Sequence, residues 1–226
     1  QSPGAWYEPT RDGQYKLFWN PAGEQEELIG SDRIKLRGEH NLLNIAAAAL
    51  AAAQAGADRD SIVGAISAYH GLEHRLEYVA TVDGVQYFDD SFATAPEPTI
   101  VALRAFKEPI VLIAGGVDKG VDYLPLVEEI LASSVKAVVL IGKMAPVLKE
   151  LIIRLGTEKG KVPFLVDGGT DMAKVMAVTR EIAKPGDVVL LSPACASFDL
   201  FKNYKERGDL FKQEVRALAA KQEKAI

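Results

Sequence analysis

From Glu77 onward, short apolar runs alternate with stretches in which apolar residues recur at helical spacing. The runs predict strands at Glu77–Val82, Val85–Phe88, Ile110–Ala114, Ala137–Ile141, Phe164–Val166 and Val188–Leu191. Helical spacing is clearest over 148–155, 172–179 and 211–218. The runs at 110–114 and 188–191 are almost wholly apolar, which predicts strands buried on both faces of a parallel sheet. With a hairpin signal at Asp83-Gly84 for an antiparallel edge, the pattern favours a doubly wound, mostly parallel α/β fold.

The first 40 residues follow another pattern and are rich in glycine, proline and charge. Strand-like runs that bury little on their own lie at Tyr15–Trp19, Glu27–Ile29 and Ile34–Leu36. We interpret them as the last ribbon of a sheet whose other strands are missing. Two helices are predicted next, from about Asn41 to Ala55 and from Asp58 to Tyr69, with a stop at Gly56. The polar connector after Gly71 predicts a boundary between one domain at 1–71 and another at 72–226.

Composition excludes several classes of protein. The chain has 226 residues, of which 48% are apolar and 25% charged, and a net charge of −5. Its longest apolar run, Ile45–Ala53, is about half of the ~18 residues that a membrane span needs. Without a basic face, nucleic acid is not the expected partner. The single cysteine, Cys195, excludes an internal disulfide, so we expect a cytoplasmic protein; we also expect a monomer, and a start at Gln1 suggests a piece of a longer chain.

Polar, small-residue segments follow three of the predicted strands, at Asp89–Glu97, Gly115–Gly120 and Ser192–Asp199. Ligands of open parallel sheets bind at the carboxyl ends of the strands, so these segments predict one shared site. Lys119, just past a buried strand and among glycines, is a suitable cation for a carboxylate or phosphate. The sequence therefore predicts an α/β domain that binds a small anion.

Each candidate also has a purely structural interpretation. Thr94 and Glu97 fit a capping box at a helix start, and Ser197 could cap the helix that contains Tyr204. Gly115-Gly116 fits a tight turn, and Lys119 fits a solvated surface residue. Cys195 is expected to be a buried, small apolar residue, because no base accompanies it in the sequence.

Several familiar motifs are absent from the sequence. His40, His70 and His74 do not have the spacing of a metal site, so no metal ligand is predicted in this chain. Neither the phosphate-binding G-x-x-x-x-G-K-[ST] nor G-x-G-x-x-G occurs, and GGVDKG has the wrong order.

Three strings carry a resemblance to a known family: GEHNLLNIAA from Gly38, HRLE from His74, and SPACASFD from Ser192 followed by FKNYKERG from Phe201. Together, and in this order, they resemble the Mur ligases of peptidoglycan synthesis. The first two strings are shared with folylpolyglutamate ligases, whereas the third is more particular to the members that add D-glutamate. The resemblance implies the end of an ATP-binding domain at 1–71, followed by a whole Rossmann-like C-terminal Mur ligase domain at 72–226.

The resemblance also implies a reaction for the longer protein. In these ligases ATP phosphorylates a carboxylate of UDP-N-acetylmuramoyl-L-alanine, and the amine of D-glutamate then attacks the acyl phosphate while Mg²⁺ neutralises phosphate charge. The residues that match ATP-binding positions are Asn41 and Asn44 at the base, Arg75 at a phosphate and Asp90 near the ribose. The positions that match D-glutamate binding are Thr94, Lys119, Ser197, Phe198 and Tyr204, among which Lys119, Ser197 and Thr94 are the candidate catalytic residues.

Four residues depart from the family pattern: Val117, where an acid is often found, Tyr204, where phenylalanine is frequent, and two that bear more directly on the site. Phe92 stands where these ligases commonly have a lysine, and Ala95 where they commonly have an asparagine. Because the chain lacks a phosphate-binding loop, we expect it to be inactive by itself. The alternatives are a ligase of the same superfamily that adds another amino acid, and a non-catalytic ligand-binding domain derived from one.

Overall fold

The computed structural model describes residues 3–223, which form two compact units that are joined between Gly71 and Leu72. The first unit contains an antiparallel sheet of three strands, in the order β1-β2-β3, and two helices. Its elements are β1 (Ala5–Pro9), β2 (Tyr15–Trp19), β3 (Glu26–Gly30), α1 (Glu39–Gln54) and α2 (Arg59–Ala68).

The first unit has a core of its own, so the expectation that its strands bury little is wrong. Leu17, Trp19 and Leu28 are at most 2% exposed and pack with Leu42 of α1 and Ile62 of α2. The alternation of β2 turns Leu17 and Trp19 toward the helices, and burial of these large apolar side chains stabilises the pair of layers. An antiparallel ribbon can be stable with one covered face, which the sequence pattern did not reveal.

The second unit is an α/β domain around a six-stranded sheet of order β4-β5-β9-β6-β7-β8, in which only the β4–β5 pair is antiparallel. The strands are β4 (Glu77–Val82), β5 (Val85–Asp89), β6 (Ile110–Gly115), β7 (Val135–Ile141), β8 (Phe164–Asp167) and β9 (Val188–Leu191). The helices are α3 (Pro96–Leu103), α4 (Leu124–Ala132), α5 (Ala145–Glu158), α6 (Met172–Ile182) and α7 (Tyr204–Glu223).

Helices cover both faces of this sheet, as the near-continuous apolar strands predict. Side chains of α4 and α5 pack with Leu112 and Leu190 on one face, and those of α6 and α7 pack with Ile113 and Leu191 on the other. These strand residues are 0% exposed. The doubly wound, mostly parallel fold is therefore confirmed, and the Asp83-Gly84 hairpin forms its antiparallel edge with both residues at positive φ.

The sequence pattern was wrong or silent at a few elements. Ile34–Leu36 is not a strand; a short 3₁₀ helix at Ser31–Arg33 precedes it instead. The pattern also missed β1 and did not place the short helix α4, and it indicated α3 only through the capping-box interpretation at Thr94. Within residues 3–223, no helix is both long and apolar enough to cross a membrane.

Candidate functional site

Three neighbouring strands bring the predicted polar segments to one edge of the second unit. Strand β9 lies between β5 and β6, and all three are parallel, so the segments after Asp89, Gly115 and Leu191 leave the sheet side by side. A backbone bridge between Val117 and Ala196, with N–H···O distances of 2.8 and 3.1 Å, ties the second segment to the third.

The two glycines after β6 allow this close packing. Gly115 and Gly116 have φ angles of 123° and 139°, a region that L side chains rarely adopt. A methyl group on Gly115 would collide with the carbonyl oxygen of Ile141, and one on Gly116 with that of Ala196. What approaches these glycines is the backbone of the end of strand β7 and of the segment after β9. Backbone packing therefore explains why glycine is required at both positions, without a ligand.

Lys119 and Thr94 are in direct contact at this edge. The Lys119 Nζ atom donates a hydrogen bond to the Thr94 Oγ1 atom over 2.7 Å, although the two residues follow different, non-adjacent strands. The capping-box interpretation of Thr94 and Glu97 is wrong, because Ala95 is the N-cap residue of α3 and no side-chain hydrogen bond caps this helix. Thr94 is instead half-buried with its hydroxyl directed to an exposed ammonium group.

The carboxyl group of Asp90 lies below this edge, in a buried polar cluster. One oxygen accepts a hydrogen bond from the Leu76 amide at 3.0 Å and the other accepts one from the Ser192 hydroxyl at 2.6 Å. Asp90 is 5% exposed, and burial raises its pKa to about 7, against these hydrogen bonds and the nearby Arg75, which favour the charged form.

This shifted pKa predicts a pH-dependent stability. Between about pH 4 and pH 7 the folded chain retains a proton on Asp90 that the unfolded chain has lost, so the free energy of unfolding falls as the pH rises, by up to ~1.4 kcal/mol per pH unit. The amide that replaces this carboxyl group in the Asp90→Asn variant does not titrate. We therefore expect Asp90→Asn to gain stability relative to the unsubstituted chain between pH 5 and pH 8, as measured by urea unfolding followed by far-UV circular dichroism.

Asp60→Asn is a suitable control for this measurement, because the Asp60 side chain is 97% exposed. Its stability should follow that of the unsubstituted chain at both pH values. A stability difference between Asp90→Asn and the unsubstituted chain that stays constant from pH 5 to pH 8 would contradict a protonated Asp90 in the folded state.

A buried network of charged and hydroxyl groups lies beside Asp90. His74 Nδ1 is 2.8 Å from Asp89 Oδ2, and both residues are at most 3% exposed. Arg207, which is 0% exposed, donates to the Ser91 hydroxyl and carbonyl at 2.9 Å each and to the Cys195 carbonyl at 3.2 Å. The guanidinium therefore connects the segment after β5 to the segment after β9 through buried hydrogen bonds.

The glycine after Arg207 fits the same network. A methyl group on Gly208 would collide with His74 Nδ1 and approach Asp89 Oδ2 to 2.6 Å. His74, Glu77 and Asp89 also bring their ligand-type atoms within 4.8 Å of one another. Lys212, 3% exposed, already balances this acidic group, with its ammonium 3.2 Å from Glu77.

Arg75 rests on an aromatic group. Its Cζ atom lies over the Phe92 ring, 4.9 Å from the centroid, and Phe92 meets Tyr204 edge-on with centroids 4.8 Å apart. Tyr204 in turn meets the His74 ring at 5.8 Å. The predicted site residues Arg75 and Tyr204 are thus connected through Phe92, the residue that departs from the family pattern.

The segment after β9 carries the remaining candidates of the second unit. Ser197 is 2% exposed, whereas Phe198 is 72% exposed and directed toward solvent. Ser197 is not a cap of α7, which begins seven residues later at Tyr204. Cys195 is fully buried as expected, and burial raises the pKa of its thiol to about 11, which disfavours a nucleophilic thiolate.

The two asparagines that the family resemblance assigns to ATP lie in the first turns of α1. Asn41 is half-buried and its Nδ2 atom donates to the Arg37 carbonyl at 2.7 Å. Asn44 is exposed, one turn further along the same helix, with its Nδ2 atom 3.5 Å from Asn41 Oδ1. Both are therefore placed on one side of the helix start.

Four residues of this edge have no role in the sequence-based prediction: His74, Asp89, Ser91 and Arg207. Arg207 and His74 occur in the strings that carry the family resemblance. That resemblance indicated that both residues matter, but it did not predict which residues they contact. The Arg207–Ser91 bonds join residues 116 positions apart, and a single sequence contains no information on such a pairing.

Comparisons with known proteins identify the family. The family model described as "Mur ligase, glutamate ligase domain" matches residues 74–195, more than half of the chain. A protein of Symbiobacterium thermophilum named UDP-N-acetylmuramoylalanine–D-glutamate ligase is 41% identical over 204 residues, which cover 90% of this chain and 44% of the relative. A protein of the same name from Roseiflexus is 44% identical over 205 residues, covering 89% of this chain and 43% of the relative.

Solved structures show the same fold at low sequence identity. The UDP-N-acetylmuramate-alanine ligase of Thermotoga maritima aligns with a TM-score of 0.67 at 16% identity, covering 95% of this chain and 46% of that one. The folylpolyglutamate synthase of Mycobacterium tuberculosis aligns with a TM-score of 0.58 at 16% identity, covering 84% of this chain and 44% of that one. The chain thus spans less than half the length of the relatives it matches.

Proposed function

The chain belongs to the Mur ligase family, and from this we propose that it is the C-terminal part of an enzyme that joins D-glutamate to UDP-N-acetylmuramoyl-L-alanine at the expense of ATP. The contact between Lys119 Nζ and Thr94 Oγ1 carries the proposal within this chain. It places a cation and a hydroxyl together at the carboxyl edge of the sheet, where a carboxylate ligand would find both. The names of the similar proteins support D-glutamate as the amino acid.

The proposed role of the second unit is to bind and orient D-glutamate. Lys119 and Thr94 bind its side-chain carboxylate, and Ser197, Phe198 and Tyr204 line the same edge. Held there, the amine of D-glutamate attacks the carbonyl carbon of the acyl phosphate, and phosphate leaves from the tetrahedral intermediate. Correct placement of the two reactants converts an encounter in solution into an intramolecular step, which is the main contribution of a binding domain.

The roles proposed for the predicted ATP-binding residues follow the family resemblance. Asn41 and Asn44 face the adenine base, since an amide both donates and accepts hydrogen bonds, and Arg75 binds a phosphate. Asp90 is assigned to the ribose by resemblance, but both of its oxygens accept hydrogen bonds from the protein. We therefore propose that Asp90 acts by holding the backbone next to Arg75.

Magnesium is expected with ATP in this reaction, but Asp89 and Asp90 do not fit as its ligands. Asp89 and Asp90 are buried, and their carboxylates are hydrogen-bonded to His74, Ser91, Ser192 and the Leu76 amide. Mg²⁺ takes oxygen ligands that can share its octahedral shell with water and phosphate. We propose that residues outside this chain hold it.

A direct test is phosphate release by the full-length parent protein with ATP, Mg²⁺ and UDP-N-acetylmuramoyl-L-alanine. We expect release to require D-glutamate, and neither L-lysine nor glycine should replace it. Release with another amino acid would favour the alternative of a different ligase in this superfamily. Binding of D-glutamate without release would favour a non-catalytic domain.

The 226-residue chain, assayed alone under the same conditions, is expected to release no phosphate. It contains no G-x-x-x-x-G-K-[ST] loop. Arg75 and Asn44 alone do not provide the backbone N–H groups with which such a loop binds the triphosphate. D-Glutamate-dependent ATP turnover by the chain alone would contradict this division of the site.

A further inference from the structure

We propose that Phe92 is a positioning residue for Arg75: its ring holds the guanidinium so that the full positive charge is presented to a phosphate. This inference rests on the proposed function, in which Arg75 meets ATP. The observation behind it is the placement of Arg75 Cζ over the Phe92 ring, 4.9 Å from its centroid. Phe92 stands at a position for which the family resemblance predicts a lysine.

The backbone around Arg75 is strained. His74 and Leu76, the residues on either side, have φ angles of 61° and 46°, in the left-handed region that residues other than glycine rarely adopt. Such conformations cost free energy and persist only where the surrounding structure enforces them, and they concentrate at functional sites. The turn that carries Arg75 is therefore imposed by its neighbours.

The neighbours that impose the turn belong mostly to the segment after β5. The His74 carbonyl accepts from the Phe92 amide at 2.9 Å, and the Leu76 amide donates to Asp90 at 3.0 Å. On the other side, the His74 amide donates to Glu77 at 2.9 Å. The backbone of Arg75 is thus fixed relative to Phe92, and only the long Arg75 side chain remains to be oriented.

The Phe92 ring is suited to orient that side chain because it is itself held in place. Tyr204 packs against it edge-on at 4.8 Å, while 42% of Phe92 stays exposed. Within residues 3–223, no carboxylate forms an ion pair with Arg75. A carboxylate would neutralise the guanidinium and occupy its N–H donors, whereas a ring attracts the cation and leaves both its charge and its donors for an anionic ligand.

The contact can be measured on the chain itself by NMR. The Hδ and Hε resonances of Arg75 should be shifted upfield by the ring current of Phe92. Phe92→Leu should return them to ordinary values, and Phe92→Tyr, which keeps the ring, should retain the shift. Phe164→Leu is the matched control, because Phe164 is 60% exposed on the edge strand β8. Unshifted Arg75 resonances in the unsubstituted chain would overturn the proposal.

The functional part is measured with the full-length enzyme. An exposed cation–π contact contributes an amount equivalent to about a 2- to 5-fold change in affinity, so Phe92→Leu should raise the KM for ATP by that factor. The KM for D-glutamate should stay within ~1.5-fold, Phe92→Tyr should restore the KM for ATP, and Phe164→Leu should leave both unchanged. In an Arg75→Ala background, Phe92→Leu should add nothing.

The outcomes separate this inference from the proposed function. Equal increases in the two KM values would mean that Phe92 acts through Tyr204 and would overturn the role toward Arg75. An unchanged KM for ATP despite lost ring-current shifts would overturn it as well. A parent enzyme without D-glutamate-dependent turnover would overturn the proposed function, while the NMR result would still decide whether Phe92 holds Arg75.

Discussion

Arg207→Met is expected to destabilise the second unit by about 3–5 kcal/mol. The Arg207 side chain is 0% exposed and donates to the Ser91 hydroxyl, the Ser91 carbonyl and the Cys195 carbonyl. Methionine fills a similar volume but donates no hydrogen bond, so the two carbonyls lose a partner in a place with little access to water. Each unsatisfied buried group costs ~1–3 kcal/mol, which exceeds the gain from removing a buried charge.

The measurement can separate the two units of the chain. Both tryptophans, Trp6 and Trp19, lie in the first unit, so tryptophan fluorescence follows its unfolding. Hydrogen exchange of β5, β6 and β9 reports the second unit, and Arg207→Met should accelerate exchange there under native conditions. Urea unfolding followed by far-UV circular dichroism gives the size of the loss.

Arg216→Met is the matched control for this substitution. Arg216 lies on the same helix, α7, and is exposed, so the change should alter the free energy of unfolding by no more than ~0.5 kcal/mol. If Arg207→Met lowered stability as little as Arg216→Met does, the buried network would not be what joins the segments after β5 and β9.

Features that depend on neighbouring residues in the sequence could be predicted, whereas features that depend on residues far apart in the sequence could not. The strands at 110–114 and 188–191 could be predicted because burial on both faces leaves a mark in every consecutive residue. Ile34–Leu36, a shorter run with Lys35 in its middle, was also predicted as a strand and is not one, because strand formation requires a partner in register. The Thr94 capping box failed for a related reason: its hydroxyl is engaged by Lys119, 25 positions away.

The candidate site shows the same limit. The prediction of a parallel sheet was enough to expect Thr94, Lys119 and Ser197 at one edge, because strand ends in a parallel sheet meet there. The order of the strands, with β9 between β5 and β6, became known only from the structure. The buried network of charged side chains next to that edge could not be predicted. His74, Asp89 and Arg207 come together only through tertiary packing, and each type of residue is more often found on the surface.

In the full-length enzyme, Lys119→Ala is expected to reduce kcat/KM for D-glutamate by about one to two decades, equivalent to roughly 1.5–3 kcal/mol. Lys119 Nζ already lies 2.7 Å from Thr94 Oγ1, so the ammonium is oriented toward the proposed carboxylate position before the ligand binds. Removing this charged hydrogen-bond donor leaves the ligand carboxylate without its cationic partner. The KM for ATP should change much less, because Lys119 is assigned to the amino acid alone.

Three further variants define what the position requires. Lys119→Arg should also be impaired, because the wider guanidinium fork does not replace a compact ammonium fitted against a hydroxyl. Thr94→Val removes that hydroxyl at nearly constant volume. It should raise the KM for D-glutamate, but by less than Lys119→Ala does. Lys107→Ala is the control, since Lys107 is exposed and lies before β6, at the opposite edge of the sheet.

The measurement is steady-state phosphate release with D-glutamate varied at saturating ATP and UDP-N-acetylmuramoyl-L-alanine. If Lys119 were only a solvated surface residue, Lys119→Ala and Lys119→Arg would leave kcat and KM unchanged, as Lys107→Ala should. Unchanged kcat and KM in Lys119→Ala would therefore remove Lys119 from the D-glutamate site. A large loss of kcat/KM for D-glutamate in Lys119→Ala, with a much smaller change in the KM for ATP and a smaller loss in Thr94→Val, would support the proposed site. It would place the side-chain carboxylate of D-glutamate beside Lys119 and Thr94, because their hydrogen bond joins an exposed cation to a hydroxyl at this edge.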